Sequence, residues 1–409
     1  PVLEIARTEP KADGAKIDFV PDDWPWWRGA NGDNVRDEPG PFPTTWSATK
    51  NVIWKADVPG RGHASPVISG DLVFLASAEE PKETQLVVAL GRADGKERWR
   101  TTLFEKKMMS VHGTNSYASP TPATDGKLLY ALFQNGEAAH LVALARDGKE
   151  AWRTNLGPYY PDHGIAGSPV IHGEAVYVLA DCGRGGFLAA VRRRDGEILW
   201  RTPRPGISGY GAPVTAKRGE KELVFCGGGG KVTGYDPETG KRVWECEAGA
   251  ETVANSMVAA GGRLLISSGF PQKKVQGISL DPAATKPVEW SVEQGSQVAY
   301  VPSPVAVGEW LYVLNDDGIL SCRSAATGKS RWTLRVSGSY SASPLVAGGR
   351  MYAANQAGVV SVVELGEKPK IMAKNDLGDG CFASPAAAGG RIYVRTEKSL
   401  FCIGEKRAD

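Results

Sequence analysis

Hydrophobic residues along this chain occur in short alternating runs that are separated by glycine-rich turns. Between residues 168 and 200, the apolar runs cover 170–171, 175–179 and 187–191. A turn at Asp195-Gly196 then leads into a last run, which ends on Trp200. Alternation with such turns is typical of antiparallel β-strands, and Asp-Gly is a strong hairpin signal. The pattern predicts a four-stranded sheet, which cannot bury both of its faces alone.

The same unit recurs along most of the chain. Its opening position is occupied by Ser65, Ser119, Ser168, Ala212, Ser256, Ser303, Ser343 and Ser384, at spacings of 40 to 54 residues. Proline follows in every copy except the fifth, which has Met257. The closing position is occupied by Trp99, Trp152, Trp200, Trp244, Trp290, Trp332 and Met372. A four-strand repeat of this length predicts a β-propeller.

The two ends of the chain predict how the ring closes. The eighth copy, from Ser384 to Cys402, supplies only three strands. A surplus strand that contains Trp54 precedes the first copy. We therefore predict that Val52 to Asp57 pairs with Leu400 to Ile403 and completes the last blade. The predicted fold is all-β, an eight-bladed propeller of four-stranded antiparallel blades, whose closure removes unpaired sheet edges.

We divide the chain into an N-terminal extension at 1–50, a propeller at 51–405 and a short tail at 406–409. The extension is rich in tryptophan from residue 24, with Trp24, Trp26 and Trp27 close together. Exposing three indoles would cost about 25 cal/mol per Å² of apolar surface. We interpret this segment as a strap across the seam between blades 8 and 1. The alternative is an aromatic platform for a ligand or partner.

Composition narrows the function further. The 409 residues carry a net charge of +2, which gives no reason to expect nucleic-acid binding. The apolar stretches are too short to span a membrane. Six cysteines lack the CxxC spacing of a zinc or redox site, so we expect mostly buried free thiols, with one or two disulfides as the alternative. We expect a monomer that is periplasmic or secreted, with its signal peptide absent from this sequence.

The richer connections of a propeller of this type lie on one face. With strands A to D counted from the axis outward, this face carries the D–A and B–C loops. The D–A loops before blades 2 and 3 are the longest, with Trp-to-Ser distances of 20 and 16 residues against 11 to 13 elsewhere. Three of the five histidines fall in three successive D–A loops, at His63, His112 and His163. We therefore expect binding at this D–A/B–C face.

Candidate ligand-binding residues share this predicted position: Arg61, His63, His112, Asn115, Tyr117, His163, Tyr210, Asn255, Tyr300 and Tyr340. Imidazoles can ligate metals or act as bases, so His63, His112, His163 and the neighbouring Asp162 are candidate metal ligands. The simpler interpretation is that these polar residues hydrogen-bond one another and shape the channel mouth. We assign no catalytic residue.

The repeated pattern, with ASPV at its start, GxxVYV in its second strand and TGKxxW at its end, resembles the PQQ-like (quinoprotein-type) propeller repeat over residues 51–405. The segment DWPWWRG followed by TTW, NVIWK and GRGHASP resembles the start of bacterial extracytoplasmic PQQ-like propeller proteins. This family is eight-bladed, which agrees with the repeat count. The resemblance implies one of two functions: a dehydrogenase that uses PQQ and Ca²⁺, or a non-catalytic scaffold such as the propeller lipoprotein of the outer-membrane β-barrel assembly complex.

Two departures favour the scaffold class. The dehydrogenases usually have adjacent cysteines that form a ring disulfide beside the quinone, and this chain has no Cys-Cys pair. They also carry long insertions, whereas these blades are nearly minimal, and we identify neither their Ca²⁺ ligands nor their catalytic Asp here. We therefore expect a non-catalytic binding or scaffold protein without a cofactor, which binds a small molecule, a glycan or a protein. The alternative is a quinoprotein-type oxidoreductase with PQQ and Ca²⁺, or another metal-dependent enzyme.

Overall fold

The computed structural model describes residues 17, 19–37, 40–47, 50–293 and 295–405. They form eight antiparallel sheets of four strands, and one of these sheets carries a fifth, short strand at its inner edge. The predicted eight-bladed propeller is therefore confirmed. We number the blades along the chain and letter their strands A to D from the axis outward.

The first four blades follow one another without interruption. Blade 1 consists of Val67–Ser69, Leu72–Glu79, Thr84–Gly91 and Glu97–Glu105. Blade 2 consists of Ala123–Thr124, Leu128–Asn135, Ala138–Ala145 and Glu150–Pro158. Blade 3 consists of Val170–His172, Ala175–Ala180, Gly186–Arg192 and Ile198–Arg204. Blade 4 consists of Val214–Arg218, Lys221–Gly228, Lys231–Tyr235 and Arg242–Glu247.

The remaining blades complete the ring. Blade 5 consists of Val258–Ala260, Arg263–Ser268, Lys274–Ser279 and Val288–Val292. Blade 6 consists of Val305–Val307, Trp310–Leu314, Ile319–Ser324 and Ser330–Arg335. Blade 7 consists of Leu345–Ala347, Arg350–Ala354, Val359–Glu364 and Lys370–Asp376. Blade 8 consists of Ala386–Ala388, Arg391–Arg395, Ser399–Ile403 and the early strand Val52–Asp57. Two short 3₁₀ helices lie in loops, at Glu80–Lys82 and Gly295–Gln297.

The ring closes as the sequence predicts. Val52–Asp57 pairs antiparallel with Ser399–Ile403, from Val52 opposite Ile403 to Asp57 opposite Ser399. The two ends of the propeller thus share one sheet, in which Val52–Asp57 is the outermost strand.

The closing tryptophans pack between blades. The indole Nε1 of Trp99 donates to the carbonyl of Arg146 in the next blade at 2.7 Å, and that of Trp152 donates to Arg193 at 2.9 Å. The same bond recurs at Trp54, Trp200, Trp290 and Trp332. The glycine of the facing C–D turn lies flat on the indole, because a Cβ added at Gly148 would come within 2.7 Å of the Trp99 ring. The recurring Asp-Gly and Thr-Gly turns are therefore needed for blade-to-blade packing as well as for the hairpin.

The recurring opening serine links neighbouring blades through a hydrogen bond. Its hydroxyl oxygen accepts the backbone N–H of the corresponding residue in the preceding blade. The donor–acceptor pairs are Ser384–Ser65, Ser65–Thr121, Thr121–Ser168, Ala212–Ser256, Ser256–Ser303, Ser303–Ser343 and Ser343–Ser384, at 2.8–3.1 Å. We call the seven accepting side chains the hydroxyl ring. The bond is missing between blades 3 and 4, where Ala212 has no hydroxyl.

One sequence assignment within this ring is wrong. In blade 2 the ring position belongs to Thr121 and not to Ser119, because Thr121 lies two residues before strand A, as the opening residue does in every other blade. The Ser119 hydroxyl instead donates to the side-chain oxygen of Asn115 in the preceding loop. Ser119-Pro120-Thr121-Pro122 contains two hydroxyl-proline pairs in succession, which is why the pattern alone selected the wrong one.

The N-terminal extension takes a longer path than the predicted strap. Its first described residue, Ile17, packs beside blades 2 and 3. The segment then reaches the blade 8–blade 1 seam, where Trp24 forms a β-bridge with Ile68 and the Asp22 carboxylate accepts the N–H of Gly389. It then enters the channel, crosses to blades 5 and 6, and leaves along blade 7, where Val35–Arg36 pairs parallel with strand A. Residues 22–36 therefore fill the end of the channel that is opposite the D–A/B–C face.

Arg28 anchors this crossing. Its guanidinium donates to the carbonyls of Ser256, Met257, Pro304 and Asp33, and the side chain is 1% exposed. Burial lowers the pKa of Arg28 to about 10 because the charge is desolvated, while the nearby Asp33 acts in the opposite direction. Four carbonyl acceptors thus take the place of water around a buried cation.

Candidate functional site

A cavity lies on the propeller axis, between the hydroxyl ring and the D–A/B–C face. Its volume is about 330 Å³, near the lower end of the roughly 300–1,000 Å³ range of ligand pockets. Trp27, from the N-terminal extension, closes its floor, where its indole N–H donates to the Ser256 hydroxyl at 3.2 Å. The cavity is therefore a dead-end pocket, with its entrance on the predicted binding face.

Six of the seven hydroxyl-ring side chains line this cavity: Thr121, Ser168, Ser256, Ser303, Ser343 and Ser384. Each is at most 5% exposed. A hydroxyl that accepts an N–H bond keeps its own O–H as a donor. Within the described part of the chain, no acceptor takes these six O–H groups. The floor and wall of the cavity thus offer several unused hydrogen-bond donors.

The cavity lining carries no ionisable side chain other than histidine and tyrosine. Among the described residues, no Asp, Glu, Lys or Arg contributes to it. The other lining residues are serine, threonine, asparagine, alanine, valine and aromatic side chains. The cavity therefore provides hydrogen bonds and apolar contact, but no carboxylate or guanidinium with which to pair a charged ligand.

Seven of the ten sequence-predicted ligand residues line the cavity: His63, His112, Asn115, His163, Tyr210, Asn255 and Tyr300. The rings of His112 and His163 meet edge to face, with their centroids 4.9 Å apart, and Tyr210 lies 5.7 Å beyond His163. The Nδ1 atom of His112 is hydrogen-bonded to the Thr114 hydroxyl at 2.8 Å. These two histidines therefore come together, as two long D–A loops in succession allow.

His63 lies apart from this pair. Its ring stacks on Phe382 with a centroid distance of 4.6 Å, and its Nε2 is buried without a hydrogen-bond partner among the described residues. Burial, reinforced by the positive charges of Arg61 and Arg395, lowers the pKa of His63 to about 3. The imidazole is therefore neutral at physiological pH.

Asn255 and Asn115 brace the loops around the cavity. The Nδ2 of Asn255 donates to the carbonyls of Ala299, Tyr300 and Pro302, while its Oδ1 is buried without a partner in the described structure. The Nδ2 of Asn115 donates to the His163 carbonyl at 2.8 Å and thereby ties two D–A loops together. The unpartnered Oδ1 of Asn255 is buried away from the cavity surface, whereas the Oδ1 of Asn115 accepts hydrogen bonds from Ser116 and Ser119.

Three predicted ligand residues lie outside the cavity lining. Arg61 makes salt bridges to Glu80 and Glu397. Tyr117 packs against the core between blades 1 and 2. Tyr340 is 1% exposed, and its hydroxyl donates to the Ser337 carbonyl at 3.0 Å. The structure gives these three side chains packing and ion-pair contacts in place of a ligand-facing position.

The candidate metal ligands do not gather around one point. Asp162 accepts a hydrogen bond from the Ser208 hydroxyl at 3.0 Å, and His63 stacks on Phe382. Within residues 17, 19–37, 40–47, 50–293 and 295–405, no group of three or more His, Cys, Asp or Glu side chains is placed to hold a metal ion. All six cysteines are free thiols.

PQQ and Ca²⁺, which the repeat resemblance implies as an alternative, can be compared with this donor set. Ca²⁺ prefers six to eight oxygen ligands, usually including carboxylates, and no described residue of the cavity lining has a carboxylate side chain. PQQ carries three carboxylates, and the lining offers them no lysine or arginine. The residues at the cavity therefore do not fit this pair of groups.

Sequence reasoning missed three parts of the site. Trp27 was considered only as one of three tryptophans in a strap or, alternatively, an aromatic platform, and not as the floor of a cavity, and the recurring serines only as markers of blade starts. Phe382, which stacks on His63, follows the ordinary Cys381 and was not singled out. The periodic hydroxyl residue was the one usable signal, because a polar residue that recurs just before the innermost strand in seven of the eight blades is expected to lie near the axis.

The fold and the site together define an eight-bladed β-propeller with an axial cavity that is open at one face and whose described lining includes no Asp, Glu, Lys or Arg. No helix in the described structure is long and apolar enough to cross a membrane. The chain belongs to the PQQ_2 family, whose model is described as outer membrane protein assembly factor BamB and matches residues 83–296 and 278–368.

Two named relatives represent both functional classes. A polyvinylalcohol dehydrogenase from a Pseudomonas species is 28% identical over 199 residues, which are 45% of this chain and 29% of that protein. The outer membrane protein assembly factor BamB of Yersinia pestis is 28% identical over 211 residues, 49% of this chain and 48% of that protein. The match thus spans less than half the length of either relative.

Solved structures agree with the fold. BamB from Moraxella catarrhalis has a TM-score of 0.63 at 14% identity, covering 88% of this chain and 98% of that one. A europium-containing methanol dehydrogenase has a TM-score of 0.67 at 12% identity, with coverages of 94% and 98%. At such identities the likeness shows the architecture alone.

Proposed function

We propose that this chain is a non-catalytic, extracytoplasmic binding and scaffold protein that uses its D–A/B–C face. The observation that carries this proposal is the axial cavity, which is closed by Trp27 at one end, open at that face and free of Asp, Glu, Lys and Arg among its described lining residues. The family description and the Yersinia relative, both named for outer membrane protein assembly, support the location and the scaffold role.

The rim of the cavity supports a partner-binding role. Phe270 and Val301, 58% and 36% exposed, belong to the loops beside the cavity-lining Tyr300, and Met109 is 39% exposed in the long loop before blade 2. Gly269 packs against Tyr300, so Phe270 is held near the cavity mouth. Exposed apolar side chains around a pocket are a common feature of binding surfaces.

A second candidate is a PQQ-dependent oxidoreductase, which the named polyvinylalcohol dehydrogenase relative favours. His112 and His163 would then be the groups nearest a substrate. The absence of carboxylates from the described cavity lining supports the binding role over this one.

The two functions differ in a turnover assay. Purified protein is incubated with PQQ and Ca²⁺, and oxidation of ethanol and of polyvinyl alcohol is followed with an artificial electron acceptor. We expect no turnover above that of free PQQ. Turnover that is abolished in His112→Gln and His163→Gln but retained in the distant control His172→Gln would establish the enzyme instead.

A further inference from the structure

We propose that the axial cavity binds a neutral sugar residue. This inference rests on the proposed binding function and specifies its ligand. It starts from the hydroxyl ring, six of whose seven members line the cavity, are at least 95% buried and keep unused O–H donors. A purely apolar occupant would leave these donors without partners, which is unfavourable in a desolvated site. The occupant must therefore carry several oxygen acceptors.

The cavity also offers acceptors, because a ring hydroxyl that lines it has two lone pairs and its backbone N–H bond uses only one of them. A ligand that matches this wall needs donors as well as acceptors. Hydroxyl groups supply both, and a sugar ring carries several of them in fixed directions.

Aromatic rings supply the remaining surface. Trp27 forms the floor, His63 and Phe382 form a stacked pair on one side, and Tyr210 and Tyr300 line the wall. A pyranose presents C–H faces that pack on aromatic rings while its hydroxyls remain at the edge. A lining that combines hydroxyl donors with aromatic faces therefore matches a sugar better than a planar heterocycle or a linear polyol.

Charge and size narrow the ligand further. The described lining residues include no Lys, Arg, Asp or Glu, so uronic acids and amino sugars would be desolvated without a counter-charge. The volume of about 330 Å³ accommodates one or two sugar rings, with a longer chain leaving through the D–A/B–C mouth. The inferred ligand is a neutral sugar, free or at the end of a glycan.

The test is saturation-transfer NMR and titration calorimetry on the full chain. The neutral probes are glucose, galactose, mannose, xylose, N-acetylglucosamine, maltose and cellobiose. Glucuronate and glucosamine are the charged comparators, and sorbitol is the linear polyol. We expect at least one neutral sugar to bind, with the charged analogues weaker by about tenfold or more.

Two variants locate the binding. Ala254→Phe fills the cavity without removing a ring hydroxyl, and it should weaken binding of the sugar by about tenfold or more. Ala283→Phe, in an exposed turn after strand C of blade 5 on the opposite face, is the matched control and should bind normally. If Ala254→Phe fails to fold, Ala166→Phe, at another lining position, replaces it.

The inference is overturned if none of the sugars binds at up to about 20 mM. It is also overturned if sorbitol or glucuronate binds as well as the best neutral sugar, or if Ala254→Phe and Ala166→Phe bind like the control. The proposed function fails by a different result, turnover with PQQ and Ca²⁺, so the two failures are distinguishable.

Discussion

Replacing Ser343 by alanine removes one member of the hydroxyl ring. The Ser343 hydroxyl accepts the backbone N–H of Ser303 at 2.9 Å, and both residues are 2% exposed. In the variant this N–H is buried next to a methyl group and has lost its acceptor. An unsatisfied buried donor costs about 1–3 kcal/mol. We therefore expect the free energy of unfolding to fall by about that amount.

The missing member of the ring allows the reverse experiment. Ala212 occupies the ring position of blade 4, and its own N–H already donates to Ser256 at 3.0 Å. Ala212→Ser supplies a hydroxyl at the one junction that lacks it, between blades 3 and 4. A new buried hydrogen bond contributes about 0.5–1.5 kcal/mol, so this variant should be more stable than the parent.

Scanning calorimetry and guanidinium titration measure both effects. Unfolding entropy is about 2.1 cal/mol/K per residue, so over 409 residues each 1 kcal/mol shifts Tm by about 1 °C. Ser330→Ala, at an exposed position of strand D in blade 6, is the control for the loss of a serine and should change little. The reasoning is refuted if Ser343→Ala is no less stable than Ser330→Ala and Ala212→Ser has no effect.

Three further predictions concern the packing, the buried histidine and the channel segment. Gly148→Ala should destabilise the protein by more than about 1 kcal/mol in guanidinium titration, because its φ is +84° and the new methyl would lie within 2.7 Å of Trp99. The control Gly173→Ala has a φ of +57° but no atom near the new methyl, so it should destabilise the protein less. The folded pKa of His63 is about 3, below the ordinary value of 6.5. The stability that is present above pH 6.5 should therefore be lost as the pH falls towards 3, by up to about 1.4 kcal/mol per pH unit. His63→Phe should flatten this part of the stability–pH curve, and an unchanged curve would contradict the assignment. Arg28→Ala should lower the free energy of unfolding by about 2–5 kcal/mol and expose residues 22–36 to limited proteolysis, because four carbonyls lose their donor. Equal protection in Arg28→Ala and in the exposed control Arg194→Ala would argue against the anchoring role.

The repeat explains how much of the fold was predictable. Each blade repeats the same alternation, so the eight sheets and the closure by Val52–Asp57 followed from counting strands. The path of residues 22–36 did not, because Arg28 contacts residues 228 to 276 positions away along the chain. Local pattern contains no information on such contacts.

The part of the site that could be predicted is the part that depends on which loop a residue belongs to. His112, His163 and Asn255 line the cavity because every D–A loop ends near the axis. Tyr340 has the same loop position but turns into the core, since its hydroxyl finds the Ser337 carbonyl nearby. Whether a loop side chain faces the axis or the core depends on such neighbours, which the loop length does not specify.

The most direct test of the binding role is a calorimetric titration of the intact protein with PQQ in excess Ca²⁺. The cavity offers no carboxylate for Ca²⁺ and no cation for PQQ among its described lining residues. We predict no saturable heat at PQQ concentrations up to about 1 mM. Stoichiometric binding in the micromolar range, abolished by Ala254→Phe and preserved in Ala283→Phe, would contradict the account.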